Sequence, residues 1–517
     1  MARAPRDKVW VMRSIVVAAT ASLVFVGCAK KTKKKDDEGP APTSVSVAPK
    51  KVVENKALPP LAADPGGATG KPVWQAGFGG LGIDSAKAIA VNAAGETFVT
   101  GYFEGEIDFG GSLGKKPSAG KSDGFLVKLG TDGKLAWAQT WGAAREDVSN
   151  AVAVKGDKVV VAGNFLDEIK VGSFAKKSNG SDDIYIAAFD KAGNAEWLWT
   201  AGGVDSDGVN AIAATPDGGW VIGGSFTDSL AITAGSRQVN LKAKGGTDAI
   251  LIKLAASGDT EWVKQFGGRY EDTIMHLAVD SNGNVFVQGV FKDVADWGGK
   301  QLKAGGGSDF DVVLAKYDTN GDHVWSKNFG NAFNEVAGGI AVDPAGHVTI
   351  AGSFENKGSI SFGEKDEHIS LGEADIYVAR FTGDGKLEWA RTMGGDRIDV
   401  AFDVATDASG SAVVTGWFEG TVDFGKGTVS SKTTNKDVFV VRFDAKGQLV
   451  WVKTFGDKDH DQGRSVALDG KGNVYVTGLY RFKLALVDPP VEQKMAENDP
   501  VLSKAPKPDV FVVKLER

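Results

Sequence analysis

Residues 437–456 read DVFVVRFDAKGQLVWVKTFG, an aspartate-led apolar run, a polar turn with a glycine, and a second run centred on Trp451. Both runs recur along the chain. The tryptophan stands at Trp74, Trp137, Trp197, Trp262, Trp325, Trp389 and Trp451, and the aspartate at Asp123, Asp183, Asp248, Asp311, Asp375, Asp437 and Asp509. A third landmark, a glycine followed two residues later by an aromatic side chain, also occurs seven times, first at Gly101 and Phe103. The sequence is therefore an array of seven repeats, each about 63 residues long.

Each repeat contains four short segments with the pattern of β-strands. In one repeat these segments are HLAVD (276–280), VFVQGVF (285–291), DVVLAKY (311–317) and HVWSKNF (323–329). Turns rich in Asp, Asn and Gly join the first pair and the last pair as hairpins. The repeats show no sustained helical periodicity. Seven such units predict an all-β fold, a seven-bladed β-propeller with four-stranded blades.

The order of the segments predicts how the ring closes. The array begins with an outer-strand segment, because Trp74 to Gly79 matches WVKTFG at 451–456, and it ends with the third-strand run DVFVVKL. The seventh blade therefore lacks an outer strand of its own. We predict that the N-terminal strand at about 72–79 supplies it, which would leave no blade with an open edge.

These motifs carry a family resemblance. The patterns W-x-x-x-F-G-G, A-I-A-V-D, G-N-V-Y-V-T-G and D-x-F-V-x-K-L resemble the bacterial β-propeller repeat called SBBP, which is common in secreted and lipid-anchored proteins. The resemblance covers residues 72–517. The resemblance strongly implies the propeller fold. It says very little about an activity, because propellers host many functions.

The N-terminal region reads as a targeting signal. Residues 15–27 (IVVAATASLVFVG) are apolar, follow a basic segment and end at Cys28, the single cysteine of the chain. This run is shorter than the roughly 20 residues that span a bilayer but suits a secretory signal. Residues 25–28 resemble the bacterial lipobox, which implies a lipoprotein signal peptide at 1–27 and a lipidated Cys28. An ordinary signal peptide with an unrelated cysteine is the alternative.

The segment that follows the signal peptide differs from it in composition. Residues 28–71 are rich in Lys, Pro, Ala and Gly and are predicted to form a flexible tether, with the propeller at 72–517. Similarity to lipoprotein sorting, with Ala29 and Lys30 after the cysteine, implies the outer membrane of a bacterial envelope. The predicted attachment is through the lipid anchor.

Composition and motifs exclude several classes of function. The 517 residues carry a net charge of −7, which argues against nucleic acid as a partner. One cysteine excludes an internal disulfide framework and a cysteine-based metal cluster. Gly77-x-Gly79-x-x-Gly82 matches the glycine motif of dinucleotide-binding proteins, but it lies between strands and lacks the helix that such a site requires. The chain holds no recognisable catalytic constellation.

The meander places the long, variable connections and the blade-to-blade connections on one face of the propeller, here called the long-connection face. An acidic residue leads into each inner strand on that side: Asp84, Asp147, Asp207, Asp272, Glu335, Asp399 and Asp461. We expect this acidic ring at one mouth of the central channel. A ring of carboxylates attracts hard cations such as calcium, whereas the interpretation we favour is that each acid caps backbone N–H groups and ties blades together.

The sequence therefore predicts a non-enzymatic, lipid-anchored binding or scaffold protein of the envelope or cell surface, with a monomeric propeller domain and no cofactor. It would bind a protein or polysaccharide partner through the long-connection face, because variable loops on a rigid scaffold are where binding resides. The chain could face the periplasm or the exterior. The alternative is a propeller enzyme of the lyase or glycosidase type, with its site at the acidic channel mouth.

Overall fold

The computed structural model describes residues 68–517 apart from 307–308, 332, 356–357, 364–365, 426, 434, 485, 487–490 and 493–506. The predicted signal peptide, Cys28 and the tether as far as residue 67 lie outside the described residues. The described part of the chain is all-β, and it contains no helix long and apolar enough to cross a membrane.

The predicted seven-bladed β-propeller is confirmed, with four antiparallel strands in each blade, numbered here outward from the axis. Blade 1 consists of Asp84–Val91, Thr97–Phe103, Asp123–Leu129 and Leu135–Trp141. Blade 2 consists of Asp147–Lys155, Lys158–Phe165, Asp183–Phe189 and Ala195–Ala201. Blade 3 consists of Gly208–Ala214, Trp220–Ala234, Arg237–Leu254 and Thr260–Gly268. Blade 4 consists of Thr273–Val279, Val285–Phe291, Asp311–Tyr317 and His323–Phe329.

The remaining blades follow the same order. Blade 5 consists of Glu335–Val342, Val348–Glu355, Ala374–Phe381 and Leu387–Gly395. Blade 6 consists of Asp399–Thr406, Ala412–Phe418, Asp437–Phe443 and Leu449–Phe455. Blade 7 consists of Gln462–Leu468, Val474–Tyr480, Asp509–Leu515 and, from the other end of the array, Pro72–Gly80.

The predicted closure by the N-terminal strand is confirmed. Pro72–Gly80 pairs antiparallel with Asp509–Leu515, with Ala76 opposite Val512 and Phe78 opposite Val510. The phenyl ring of Phe78 is buried in the interface with blade 1, so this strand adds both ladder hydrogen bonds and apolar burial.

The hydrophobic core lies between successive blades. One cluster joins Val221 and Leu251 of blade 3 to Val287 and Val313 of blade 4, and comparable clusters fill the other interfaces. These residues come from second and third strands, whose continuous apolar runs are buried on both faces. The first strands of neighbouring blades all contact one another and enclose the central channel.

The long second-to-third connections contain structure that the sequence analysis did not predict. Each forms a short two-stranded hairpin, and in blade 3 the hairpin is continuous with the blade strands. The other pairs are Glu106–Asp108 with Lys115–Pro117, Glu168–Val171 with Phe174–Lys177, Val294–Asp296 with Leu302–Lys303, Ser359–Gly363 with Asp366–Ile369, Thr421–Asp423 with Thr428–Ser430, and Lys483–Leu484 with Val491–Glu492.

Candidate functional site

The acidic ring lies at the start of the first strands, where its side chains are 0 to 2% exposed. Each of the six aspartates accepts a backbone N–H at 2.6 to 2.9 Å from the residue four positions earlier, as Asp272 does from Gly268. Three of them accept a second backbone N–H from the end of the second strand, as Asp399 does from Glu419. The carboxylates thus point into the interfaces between blades and bind backbone there.

The third-strand aspartates meet this ring, a pairing that sequence reasoning missed. They are 0 to 4% exposed, and each lies beside the ring acid of the following blade. A glycine separates the two groups. A methyl group built on Gly267 would lie 2.9 Å from the carboxyl carbon of Asp248 and 2.9 Å from Oδ2 of Asp272. The first glycine of the F-G-G motif therefore fits between two buried carboxyls.

Burial raises the pKa of every ring acid, and the neighbouring third-strand carboxylate raises it further. The pKa rises to about 7 at Asp147 and Asp207, to about 8 at Asp272, Asp399 and Asp461, and to about 9 at Glu335, while that of Asp84 is well above its ordinary range. Hydrogen bonds from the backbone oppose these shifts but do not cancel them. At neutral pH these interfaces hold protonated carboxyl groups as well as carboxylates.

This geometry bears on the two chemical roles considered for the ring. Among the described residues no three His, Cys, Asp or Glu side chains are grouped so as to hold a metal ion, and calcium normally takes six to eight oxygen ligands. Calcium binding stays a prediction, and the described residues do not form a group of ligands for it. A glycosidase needs two carboxyls that reach the substrate, and the ring carboxyls are enclosed, so the arrangement gives the enzyme alternative no support.

The position three residues after each ring acid lies on the first strand, the strand nearest the axis. Each first strand has a β-bulge at this position, which leaves one residue without a partner on the second strand. The seven bulge residues are Lys87, Asn150, Asn210, Met275, Gly338, Phe402 and Arg464. They differ from blade to blade, so the channel is asymmetric although the scaffold repeats.

The bulge residues make different contacts on the two sides of the channel. The amide of Asn150 donates to the carbonyl oxygen of Val209 at 3.0 Å, and that of Asn210 donates to the carbonyl oxygen of Ile274 at 2.9 Å. These bonds link blades 2, 3 and 4. On the other side, Arg464 of blade 7 lies over the ring of Phe402 in blade 6, with 4.5 Å between its Cζ and the ring centroid. Blades 6, 7 and 1 thus bring an arginine, an aromatic ring and Lys87 to the channel.

Comparisons with known proteins agree with this architecture. Residues 261–290 and 450–479 match the family model of the SBBP β-propeller repeat. The two segments are the corresponding parts of blades 3 to 4 and 6 to 7.

Matches to other proteins are partial. The regulatory protein FlaEY of Caulobacter vibrioides is 27% identical over 34% of this chain and 18% of its own length. A WD repeat-containing protein of Acanthamoeba polyphaga mimivirus is 22% identical over 45% of this chain and 20% of its own length. The chain thus matches about a fifth of either relative. Among solved structures, the Neurospora crassa Pan2 WD40 domain aligns with 83% of this chain and 89% of its own, with a TM-score of 0.42 and 8% identity.

The repeated tryptophans make contacts between blades. Six of them reach the third-to-fourth turn of the next blade, and Trp451 packs against Gly70, just before the outer strand of blade 7. The indole N–H of Trp325 donates to the carbonyl oxygen of Gly383 at 3.1 Å, and that of Trp389 donates to the carbonyl oxygen of Ala445 at 3.0 Å. The turn glycine packs on the ring, as Gly385 does on Trp325. The repeated tryptophans and turn glycines therefore hold blades together, and functional differences must come from residues that do not repeat.

The hairpins of the long-connection face also bind blades together. Their apolar-x-apolar pairs are buried, for example Ile107 with Phe109, and Val422 with Phe424. The end of an outer strand pairs with the next hairpin, as Gly268 does with Ala295. The recurring pairs were visible in the sequence, but the unequal lengths of the connections obscured them. Only the remaining parts of this face are available to a partner.

Proposed function

We propose that the protein is a non-enzymatic binding or scaffold protein that engages a protein or polysaccharide partner through its long-connection face. The proposal includes a lipid anchor on Cys28 that holds the propeller at the outer membrane or cell surface. The observation that carries the binding role is the distribution of exposed apolar side chains over the described residues.

Eight large apolar side chains are exposed in the described part of the chain, and six of them belong to the long-connection face. These six are 38 to 70% exposed: Leu81, Val204, Tyr270, Phe333, Ile369 and Leu371. Four stand on blade-to-blade connections and two on the long connection of blade 5. The other two, Val73 and Val324, lie at the starts of outer strands. Apolar side chains gathered on one face of a soluble scaffold are a mark of a binding surface.

Site-specific photo-crosslinking tests the face. A photo-reactive phenylalanine analogue is placed at Tyr270 or Phe333, and at Val324 as the matched control, which is similarly exposed on another surface. In intact cells we expect discrete crosslinked products from the first two positions and none from the third. Equal crosslinking from all three positions, or none from the long-connection face, would contradict the proposal.

The anchor has a separate test. Labelled palmitate should be incorporated into the wild-type protein and not into a Cys28→Ser variant, and the variant should leave the membrane fraction. Protease treatment of intact cells would then separate a surface-facing propeller from one that faces the periplasm. Incorporation of label into the Cys28→Ser variant would refute lipidation at this residue.

A further inference from the structure

The channel wall between blades 7 and 1 gathers two cations. Arg464 and Lys87 occupy the bulge positions of adjacent first strands, and both side chains are half-buried. Burial lowers the pKa of Lys87, and the charge of Arg464 lowers it further. Burial also lowers the pKa of Arg464, to about 10. Like charges in a partly dry channel are unfavourable unless a counter-charge joins them.

The two fully buried arginines of the described residues have counter-charges. Arg380 is paired with Asp343 at 2.5 Å and with Glu388 at 2.9 Å, and Arg442 is paired with Asp407. Arg464 differs, because it forms no ion pair with any residue that the structure describes, and its buried Nε has no hydrogen-bond partner there. A half-buried guanidinium without an acidic partner can bind an external anion.

Aromatic rings hold the two cations in place. Arg464 lies over Phe402, and Nζ of Lys87 is 5.4 Å from the ring centroid of Tyr102. A guanidinium on the face of a ring keeps its in-plane N–H donors available to a ligand. Asp403, which follows Phe402 on the first strand of blade 6, accepts the Ser465 hydroxyl at 2.7 Å and the backbone N–H of Val466 at 2.9 Å.

A third cation lies nearer the mouth. Nζ of Lys436 is 3.8 Å from the ring centroid of Trp417, and its pKa is lowered to about 8, mainly by burial and also by the charge of Arg464. Glu419 opposes that shift. Lys436 immediately precedes the third strand of blade 6, on the long-connection face, whereas Arg464 lies three residues, about 10 Å, along its strand from Asp461. The positive charge therefore extends from the mouth into the channel.

We propose that Arg464 and Lys87 form a binding site for a compact oxyanion, a carboxylate or phosphate group, which enters the channel from the long-connection face past Lys436. A free small molecule is sufficient to occupy this site. The inference therefore goes beyond the proposed partner surface, and it holds or fails separately from it.

Isothermal titration of the full chain with inorganic phosphate, and separately with glucuronate, tests the site at constant ionic strength in chloride. We expect saturable binding of at least one anion. Arg464→Gln should weaken it about tenfold or more, since a charge-assisted hydrogen bond is lost, and Arg464→Lys should weaken it less. Arg237→Gln, which removes an exposed arginine from the tip of the blade 3 hairpin, is the matched control and should bind like the wild type.

The two ligands separate the sources of the oxyanion. Binding of phosphate alone assigns a phosphate-bearing ligand, binding of glucuronate alone assigns a carboxylate, and binding of both supports the shared chemistry. The absence of saturable heat with both anions, or equal affinity in Arg464→Gln and the wild type, would overturn the proposal. Circular dichroism and urea unfolding of each variant show that the propeller is intact.

Discussion

Two arginines illustrate how the same residue type can contribute to stability to very different extents in this propeller. The guanidinium of Arg442 is 1% exposed, pairs with Asp407 and donates to the carbonyl oxygen of Gly472 at 3.2 Å. Arg442→Gln should lower the free energy of unfolding by about 3 kcal/mol, because it leaves a buried carboxylate without its cation. Arg464→Gln should change it by less than about 1 kcal/mol, because relief of the repulsion between Arg464 and Lys87 offsets part of the lost cation–π contact. Urea unfolding followed by tryptophan fluorescence measures both, and equal losses would make Arg464 a structural residue.

Gly267 lies between the carboxyls of Asp248 and Asp272, so its substitution tests how closely this pair is packed. Gly267→Ala places a methyl group 2.9 Å from the carboxyls of Asp248 and Asp272, neither of which can withdraw from its buried position. Overpacking of this kind should cost about 1 to 3 kcal/mol in the free energy of unfolding. Gly470→Ala is the control, because a Cβ there would meet no atom within 4 Å. An unchanged urea midpoint for Gly267→Ala would contradict this interpretation of the F-G-G motif.

The closing strand is the element on which the ring depends. Deletion of Pro72–Gly80 removes the ladder to Asp509–Leu515 and the buried ring of Phe78. Loss of a buried phenylalanine alone costs about 3 to 5 kcal/mol, so we expect a sharply lower melting temperature. The control replaces residues 73–79 with the matching segment 450–456, which should restore most of the stability. A deletion variant that melts like the wild type would show that blade 7 is stable with three strands.

The elements that the sequence predicted well are those whose pattern repeats. Seven tryptophans and seven leading aspartates gave the blades, and the match of Trp74 to Trp451 gave the closure. The hairpins were missed because connections of unequal length hide a two-residue pattern. The carboxyl pairs were missed because they form between blades, where packing decides which groups meet. Arg442 and Arg464 also look alike in the sequence, although the first-to-second turn of blade 6 provides Asp407 to Arg442 and no described residue forms an ion pair with Arg464.

At the scale of the whole molecule, the buried carboxyls predict an unusual dependence of stability on pH. Their ordinary pKa applies in the unfolded chain, but in the folded propeller the pKa is about 7 at Asp147 and about 8 at Asp272. At pH values between the ordinary pKa and the raised pKa, the folded state binds more protons than the unfolded state. The free energy of unfolding must therefore fall as pH rises, by up to about 1.4 kcal/mol per pH unit for each such group.

Urea unfolding at pH 5, 7 and 9 measures this dependence, and we expect the highest midpoint at pH 5 and the lowest at pH 9. Asp272→Asn isolates one group, because an amide keeps an oxygen for the N–H of Gly268 and cannot ionise. The variant should resemble the wild type at pH 5 and be more stable than it at pH 9. A stability that is constant or rises from pH 5 to pH 9 would mean that the interfaces admit compensating charge, and the calcium hypothesis could then be tested by repeating the pH 9 measurement with calcium and with a chelator.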